Sequence, residues 1–447
     1  MSLHPVLGML LVLGVLGALT AALRYWQVKR APHPELVRKL LHVGMGLVTL
    51  SFPFVFRSSW PVIALAVLAV GAMLALRHVA PLRERLGGVV HGVGRESGGE
   101  IYFPVAVGVV FTLAAGVPIL YVVPVLLLTL ADATAALIGV RYGTLKLETV
   151  DGGVKSVEGA VAFFMVAFLC THLSLLLSTH VGRVETLLIG LEIGFLVMLV
   201  ELVAWRGLDN LFIPLFSFAL LYNIEYLQAY ELMQRLAFLV LLSGFVLLWR
   251  KRTTLDPGAL IATVLVAHVF WTVGGLAWLA PPVACFATYA LLWPEDRVRR
   301  GSVHDLRAVL SFAAVGLAWL FLATRFPARD WSYLGATAFA VQLAVIGCAA
   351  NDSPGRDLWS PRMLVQCALV GWIVPFLPYV LLRGLDVRTV QLAGAALPAV
   401  ALSLLAFNAR WTKLRAAPYS MQRWVTQAAA SAVGSLLALA PWLLLPA

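Results

Sequence analysis

The chain has 447 residues, of which 61% are hydrophobic and 12% charged, and its mean hydropathy is +0.91. Soluble domains carry about 25% charged residues, so this composition excludes a water-soluble globular protein and describes an all-α polytopic membrane protein. The net charge of +11 would suit a nucleic-acid partner, but its distribution along the chain gives it another meaning.

Apolar windows long enough to cross a bilayer recur about sixteen times. In chain order the first set is 6–23, 40–56, 60–76, 102–117, 119–140, 159–179, 185–204 and 211–229. The second set is 232–249, 258–279, 281–293, 308–324, 332–350, 363–382, 389–407 and 425–445. The first window lacks a basic flank before it, which makes it a retained span rather than a cleaved signal peptide. With the N-terminus outside, 26 Lys and Arg residues fall in cytoplasmic segments and seven outside or at span edges. The positive charge is therefore a topology signal, and it places the long polar segments on the cytoplasmic face of an inner (cytoplasmic) membrane. No nucleic acid is implied. Cys170, Cys285, Cys348 and Cys367 stand singly in apolar runs and read as packing residues.

A change in loop character near 234–257 divides the chain. Residues 1–233 carry long, mixed-polarity segments, whereas loops in 234–447 are mostly Arg-rich connectors. The chemistry-bearing residues concentrate in the first part.

Arg38, Lys39 and His42 open the second window, with Arg38 and His42 four residues apart on one helix face. Such cations anchor to lipid headgroups or clamp phosphate. The segment HGVGRESGGEIYFP (91–104) places Arg95 and Glu100 among glycines, as a solvated loop or as a loop that meets an anion and a hydroxyl. Asp132 lies near the end of a long apolar run, where a charge is costly and a functional candidate. Ala135, Gly139 and Gly143 follow at helical steps, leaving a stripe that another backbone or a ligand can approach. A buried Asp needs a partner, and a divalent cation is the natural one when phosphates bind beside it; the alternatives are a hydrogen bond to a neighbouring helix or pairing with Lys or Arg. Gly152 and Gly153 then precede Lys155, Ser156, Glu158 and Gly159 at the start of the sixth window, a turn suited to phosphate. Glu201 and Asp209, with Asn210 and Pro214, close the series. They would share a helix face if the helix ran on, and could hold a second Mg²⁺ ion or act as a base.

Taken in order, R-K-x-x-H, the loop ending in G-G-E, D-x-x-A-x-x-x-G-x-x-x-G, K-S-x-E-G and D-N-x-x-x-P resemble the polyprenol (dolichol and phytol) kinase family. The third and fourth motifs are also similar to those of phosphatidate cytidylyltransferases, although the Ser-Pro pair usual there is absent. The resemblance covers roughly residues 34–230. It implies a kinase that phosphorylates the hydroxyl of a membrane-embedded lipid alcohol, commonly with CTP and a divalent cation such as Mg²⁺. It further implies Asp132 at metal and nucleotide, Lys155, Ser156, Glu158 and Gly159 around the phosphates, and supporting roles for Arg38, Lys39, His42, Glu100, Asp209 and Asn210. A CDP-lipid-forming cytidylyltransferase and a lipid carrier or flippase without chemistry are the competing readings. The second part is only weakly similar to phytyl-phosphate-kinase-like membrane proteins. There Asp352 falls where Asp132 falls, but no K-S-x-E-G follows, which leaves a structural or lipid-handling partner domain.

Overall fold

Every apolar window is occupied by helix, but helix breaks fall inside several of them. The computed structural model describes residues 4–78, 98–148, 153–224, 226–292, 304–327, 329–352 and 359–444. Among these, twelve helices are long and apolar enough to cross a membrane. The windows at 40–56, 102–117, 211–229 and 281–293 hold helices of 17, 15, 16 and 17 residues. At 1.5 Å per residue these reach about 22–26 Å, short of a hydrocarbon core of about 30 Å. Ser51 interrupts the first of these windows. Ala115 and Gly116, both at positive φ, end the second. The protein is an all-α, multi-pass membrane protein, with twelve candidate spans among the described residues.

The chain divides into two compact units, Met1–Ala237 and Phe238–Ala447. The first unit runs α1 (Pro5–Arg30), α2 (Pro34–Leu50), α3 (Phe52–Val55), α4 (Ser59–His78), α5 (Gly99–Leu113) and α6 (Pro118–Leu126). A π-helical turn (Leu127–Ala131) joins α6 to α7 (Asp132–Tyr142). Strands β1 (Lys146–Glu148) and β2 (Val154–Ser156) follow, then α8 (Val157–Ser178), α9 (Arg183–Val203) and α10 (Asp209–Ile224). The strands form an antiparallel ladder pairing Lys146 with Ser156 and Glu148 with Val154. That hairpin is the one non-helical element among the described residues of this unit, and the apolar windows gave no sign of it. Val123, Leu127, Leu128, Phe163, Ile189 and Ile193 are fully buried, so the core sits on α6, the π turn, α8 and α9.

Helix α11 (Ala229–Trp249) leads into the second unit, which contains α12 (Pro257–Gly274), α13 (Leu276–Leu292), α14 (Leu306–Arg325) and α15 (Ser332–Ala350). It ends with α16 (Pro361–Arg383), α17 (Val387–Leu414), α18 (Met421–Leu437) and α19 (Leu439–Leu444). Helix α15 is buried along nearly its whole length, as a helix apolar on all sides should be. Its one long polar side chain is tied down: Gln342 donates to the Ser311 carbonyl (2.8 Å) and accepts from Gln427 (2.7 Å). Asp256, Asp305, Asp386 and Ser420 cap the helices that follow them, each accepting a backbone N–H of the first turn. The four cysteines are free thiols, three of them buried.

Candidate active site

The span carrying Asp132 is not a uniform helix. Pro124, inside α6, has no N–H to give to the preceding turn, and the π turn follows within three residues. There the Asp132 N–H bonds the Leu127 carbonyl, one residue further back than in an α-helix. The Leu128 carbonyl, which an α-helical Asp132 N–H would have taken, instead accepts from Nε2 of His42 at 2.9 Å. The irregular turn thus offers a backbone acceptor to α2 and turns Asp132 toward the same helix.

Lys39 meets it there. Its Nζ lies 2.6 Å from Asp132 Oδ2, with the two side chains 4% and 9% exposed, and His42 Nε2 is 3.5 Å from the same oxygen. Helix α2 can come this close because residue 46 is glycine: a Cβ on Gly46 would stand 2.0 Å from Thr129 Oγ1 in the π turn. Tyr121, donating to the Thr49 carbonyl at 2.9 Å, fastens α6 to the far end of α2. Gly46, Thr129 and Tyr121 were missed in the sequence reading. The glycine pair at 44 and 46 inside a helical window was the available signal. Arg38 does not reach Asp132 but forms a two-point pair with Glu35, at 3.0 and 2.6 Å.

A second ion pair forms between β2 and α9. Lys155 Nζ is 2.8 Å from Glu201 Oε1 and also donates to the Glu201 backbone carbonyl. Burial opposes the Lys155 charge, but Glu201 and then Asp209 outweigh it, and the ammonium is held above the ordinary lysine value. Helix α9 ends at Val203, and the chain turns through Arg206 and Gly207, both at positive φ. Glu201 and Asp209 therefore stand on two helices, and the continuous helix on which they would share a face is not formed. The Arg206 carbonyl accepts the Gly98 N–H at 3.0 Å, which fixes the start of α5 and with it Glu100.

Residues of the K-S-x-E-G motif divide between these tasks. Ser156 caps α8, its Oγ accepting the Gly159 N–H at 3.1 Å. Glu158 holds the turn after α7: its Oε1 accepts the N–H groups of Thr144 (2.9 Å) and Leu145 (3.2 Å) and the Thr144 hydroxyl. The small-residue stripe of α7 lies against this corner, where a Cβ on Gly159 would meet the Ala135 carbonyl at 2.7 Å and the Gly139 Cα at 3.4 Å. Gly143 is not on the helix but caps its end in an extended conformation.

One cavity of about 1450 Å³ unites these parts. Arg38, Lys39, His42, Glu100, Asp132, Gly139, Gly143, Lys155, Ser156, Gly159, Glu201, Asp209 and Asn210 all line it. Glu158 lies outside the lining, and Arg95 lies outside the described residues. Beyond Lys39 the wall becomes apolar, passing Leu16, Met45, Phe52, Leu65, Met73 and Val107 from α1 to α5. From Lys39 to Thr49, both on the wall, α2 rises about 15 Å. Charge at one end and a greasy arm at the other suit an amphipathic ligand. No three His, Cys, Asp or Glu side chains among the described residues form a metal cage. Two carboxylates each bound to a lysine through one oxygen fit a cation carried in on phosphates, since Mg²⁺ needs only one or two protein carboxylates beside them.

Against curated proteins, 195 residues, 43% of this chain, align at 28% identity with 81% of a phytol kinase from Synechocystis sp.. The chain is similar to a phytol kinase. No protein-family model matches it, and no solved structure matches it.

Proposed function

We propose that the first unit transfers the γ-phosphoryl group of a nucleoside triphosphate, CTP by preference, to the hydroxyl of an isoprenoid or similar lipid alcohol. The observation that carries this reading is the single cavity joining two lysine–carboxylate pairs to an apolar arm. Similarity to a phytol kinase supports a lipid-alcohol acceptor over a soluble one. Phosphoryl transfer asks for positioning and charge neutralisation more than covalent help. Lys39 and Lys155 sit where they could exchange a carboxylate for phosphate oxygens, with Arg38 at the rim. Asp132 and Glu201 would hold Mg²⁺, which supplies neutralising charge to the phosphates when bound. The alcohol oxygen attacks the γ-phosphorus, the bond to the bridging oxygen breaks, and the nucleoside diphosphate leaves. The alcohol's proton passes to a carboxylate, for which Glu100 and Asp209 are the candidates on the wall. The positive-inside bias favours an outside N-terminus and a cytoplasm-facing site in the inner membrane.

The test supplies the purified chain with Mg²⁺, γ- or α-labelled CTP or ATP, and a panel of lipid alcohols and lipid phosphates. Label from the γ position in a lipid monophosphate, with nucleoside diphosphate released, is the expected result. Label from the α position in a lipid with pyrophosphate released would establish a cytidylyltransferase instead, and no transfer from either would leave a carrier.

A further inference from the structure

Three cations on the wall of the large cavity are held by carboxylates: Arg38 by Glu35, Lys39 by Asp132 and Lys155 by Glu201, at 2.6 to 2.8 Å. Each is largely neutralised before any ligand arrives. Lys146, on β1, lines the same cavity and is exposed. Its ammonium makes no ion pair or hydrogen bond among the described residues.

The hairpin places this lysine. In the antiparallel ladder Lys146 pairs with Ser156, so their side chains leave the sheet on the same face, with Cα atoms about 4.5–5.5 Å apart. Ser156 faces the end of α7: a Cβ on Gly143 would stand 2.7 Å from the Ser156 Cβ, and one on Gly139 would stand 2.9 Å from its Oγ. Lys146 thus belongs to the corner of the cavity made by Gly139, Gly143, Ser156 and Gly159.

A glycine-bearing turn into a helix start can bind phosphate through free backbone amides. Here those amides are engaged. Glu158 Oε1 accepts the N–H groups of Thr144 and Leu145, the Leu145 carbonyl accepts that of Val157 at 2.9 Å, and Ser156 Oγ accepts that of Gly159 at 3.1 Å. A phosphate seated at this corner must therefore be met by side-chain charge, and Lys146 offers it without leaving a carboxylate.

We propose that Lys146 binds the triphosphate of the nucleotide at this corner. The inference rests on the phosphoryl-transfer reading of the first unit and adds a contact that none of its motifs contains.

The experiment measures equilibrium binding of α-labelled CTP and ATP, with Mg²⁺ and no alcohol, to the full-length chain in phosphatidylcholine nanodiscs. Lys146→Gln should weaken binding about tenfold, as for a lost hydrogen bond between charged groups. Lys146→Arg should largely restore it. Arg141→Gln, which removes a cation on α7 that lies outside the cavity wall, should leave binding unchanged. Tripolyphosphate should displace label from the wild type and do so more weakly in Lys146→Gln. In turnover, Lys146→Gln should raise KM for the nucleotide with kcat little changed, and added salt should raise the wild-type KM more than that of the variant. Equal binding by wild type and Lys146→Gln would overturn the proposal while leaving the reaction in place. An equal loss in Arg141→Gln would overturn it too, because general surface charge would then explain the effect. So would a loss confined to phosphatidylglycerol nanodiscs, which would make Lys146 an anchor for lipid headgroups. A folded wild type that binds neither nucleotide would overturn the nucleotide-dependent reading of the first unit itself, and this inference with it.

Discussion

Lys39 and Asp132, 93 residues apart in sequence, meet at 2.6 Å in a buried ion pair at the head of the large cavity. Removing one partner strands the other charge in a poorly solvated place, at a typical cost of about 3–5 kcal/mol. Lys39→Ala should therefore lower thermal stability sharply in detergent. The double variant Lys39→Ala/Asp132→Asn should recover most of that loss while remaining inactive. A double-mutant cycle followed by thermal unfolding measures both effects, and additive losses would show that the pair is not coupled.

Gly46 is where α2 closes on the π turn. A methyl group there would overlap Thr129, and overpacking of this kind costs about 1–3 kcal/mol. Gly46→Ala should lower activity by displacing Lys39 and His42 from Asp132. Adding Thr129→Gly, which removes the obstructing atoms, should restore part of it. Activity and melting temperature of the single and double variants are the readouts.

The Lys155–Glu201 pair sets a pH dependence of stability. The folded-state value of Lys155 lies above the ordinary one, so its contribution is present in full below the unfolded lysine value of about 10.4. It fades as pH rises through the folded value. Thermal stability of the wild type, measured against Lys155→Met/Glu201→Gln from pH 7 upward, should show a constant difference until strongly alkaline pH and a shrinking one beyond. A difference that disappears near neutrality would show that burial overcomes the acidic neighbours.

Glu158 acts on the turn after α7 rather than on the cavity wall. Glu158→Ala should speed hydrogen exchange at the Thr144 and Leu145 amides while leaving α9 unchanged. Exchange at those amides equal to the wild type would contradict this assignment.

Much of this arrangement was legible in the sequence because it rests on local pattern. Apolar windows marked the helices, and the charge of Asp132 inside one of them marked a point needing a partner. Of the three partners considered for it, the structure supplies a lysine. Spacing along one helix could not reveal that choice, since Lys39 comes from another helix, just as Lys155 meets Glu201 from 46 residues away. The π turn was hidden for a related reason: Pro124 signals a disturbance, but which carbonyl each N–H then takes depends on α2 packing alongside. Glu201 and Asp209 looked like one helix face because periodicity is silent about a turn at Arg206 and Gly207. In the second unit, Asp352 is matched by Arg415 at 3.2 Å and Trp411 at 3.1 Å, an enclosure that no motif announced.

The central claim is that phosphoryl transfer belongs to the Asp132 cavity, and two isosteric variants address it most directly. Transfer of γ-label to a lipid alcohol should be lost in Asp132→Asn and retained in Asp352→Asn, with both proteins folded. Retention in Asp132→Asn together with loss in Asp352→Asn would move the chemistry to the second unit and contradict the account.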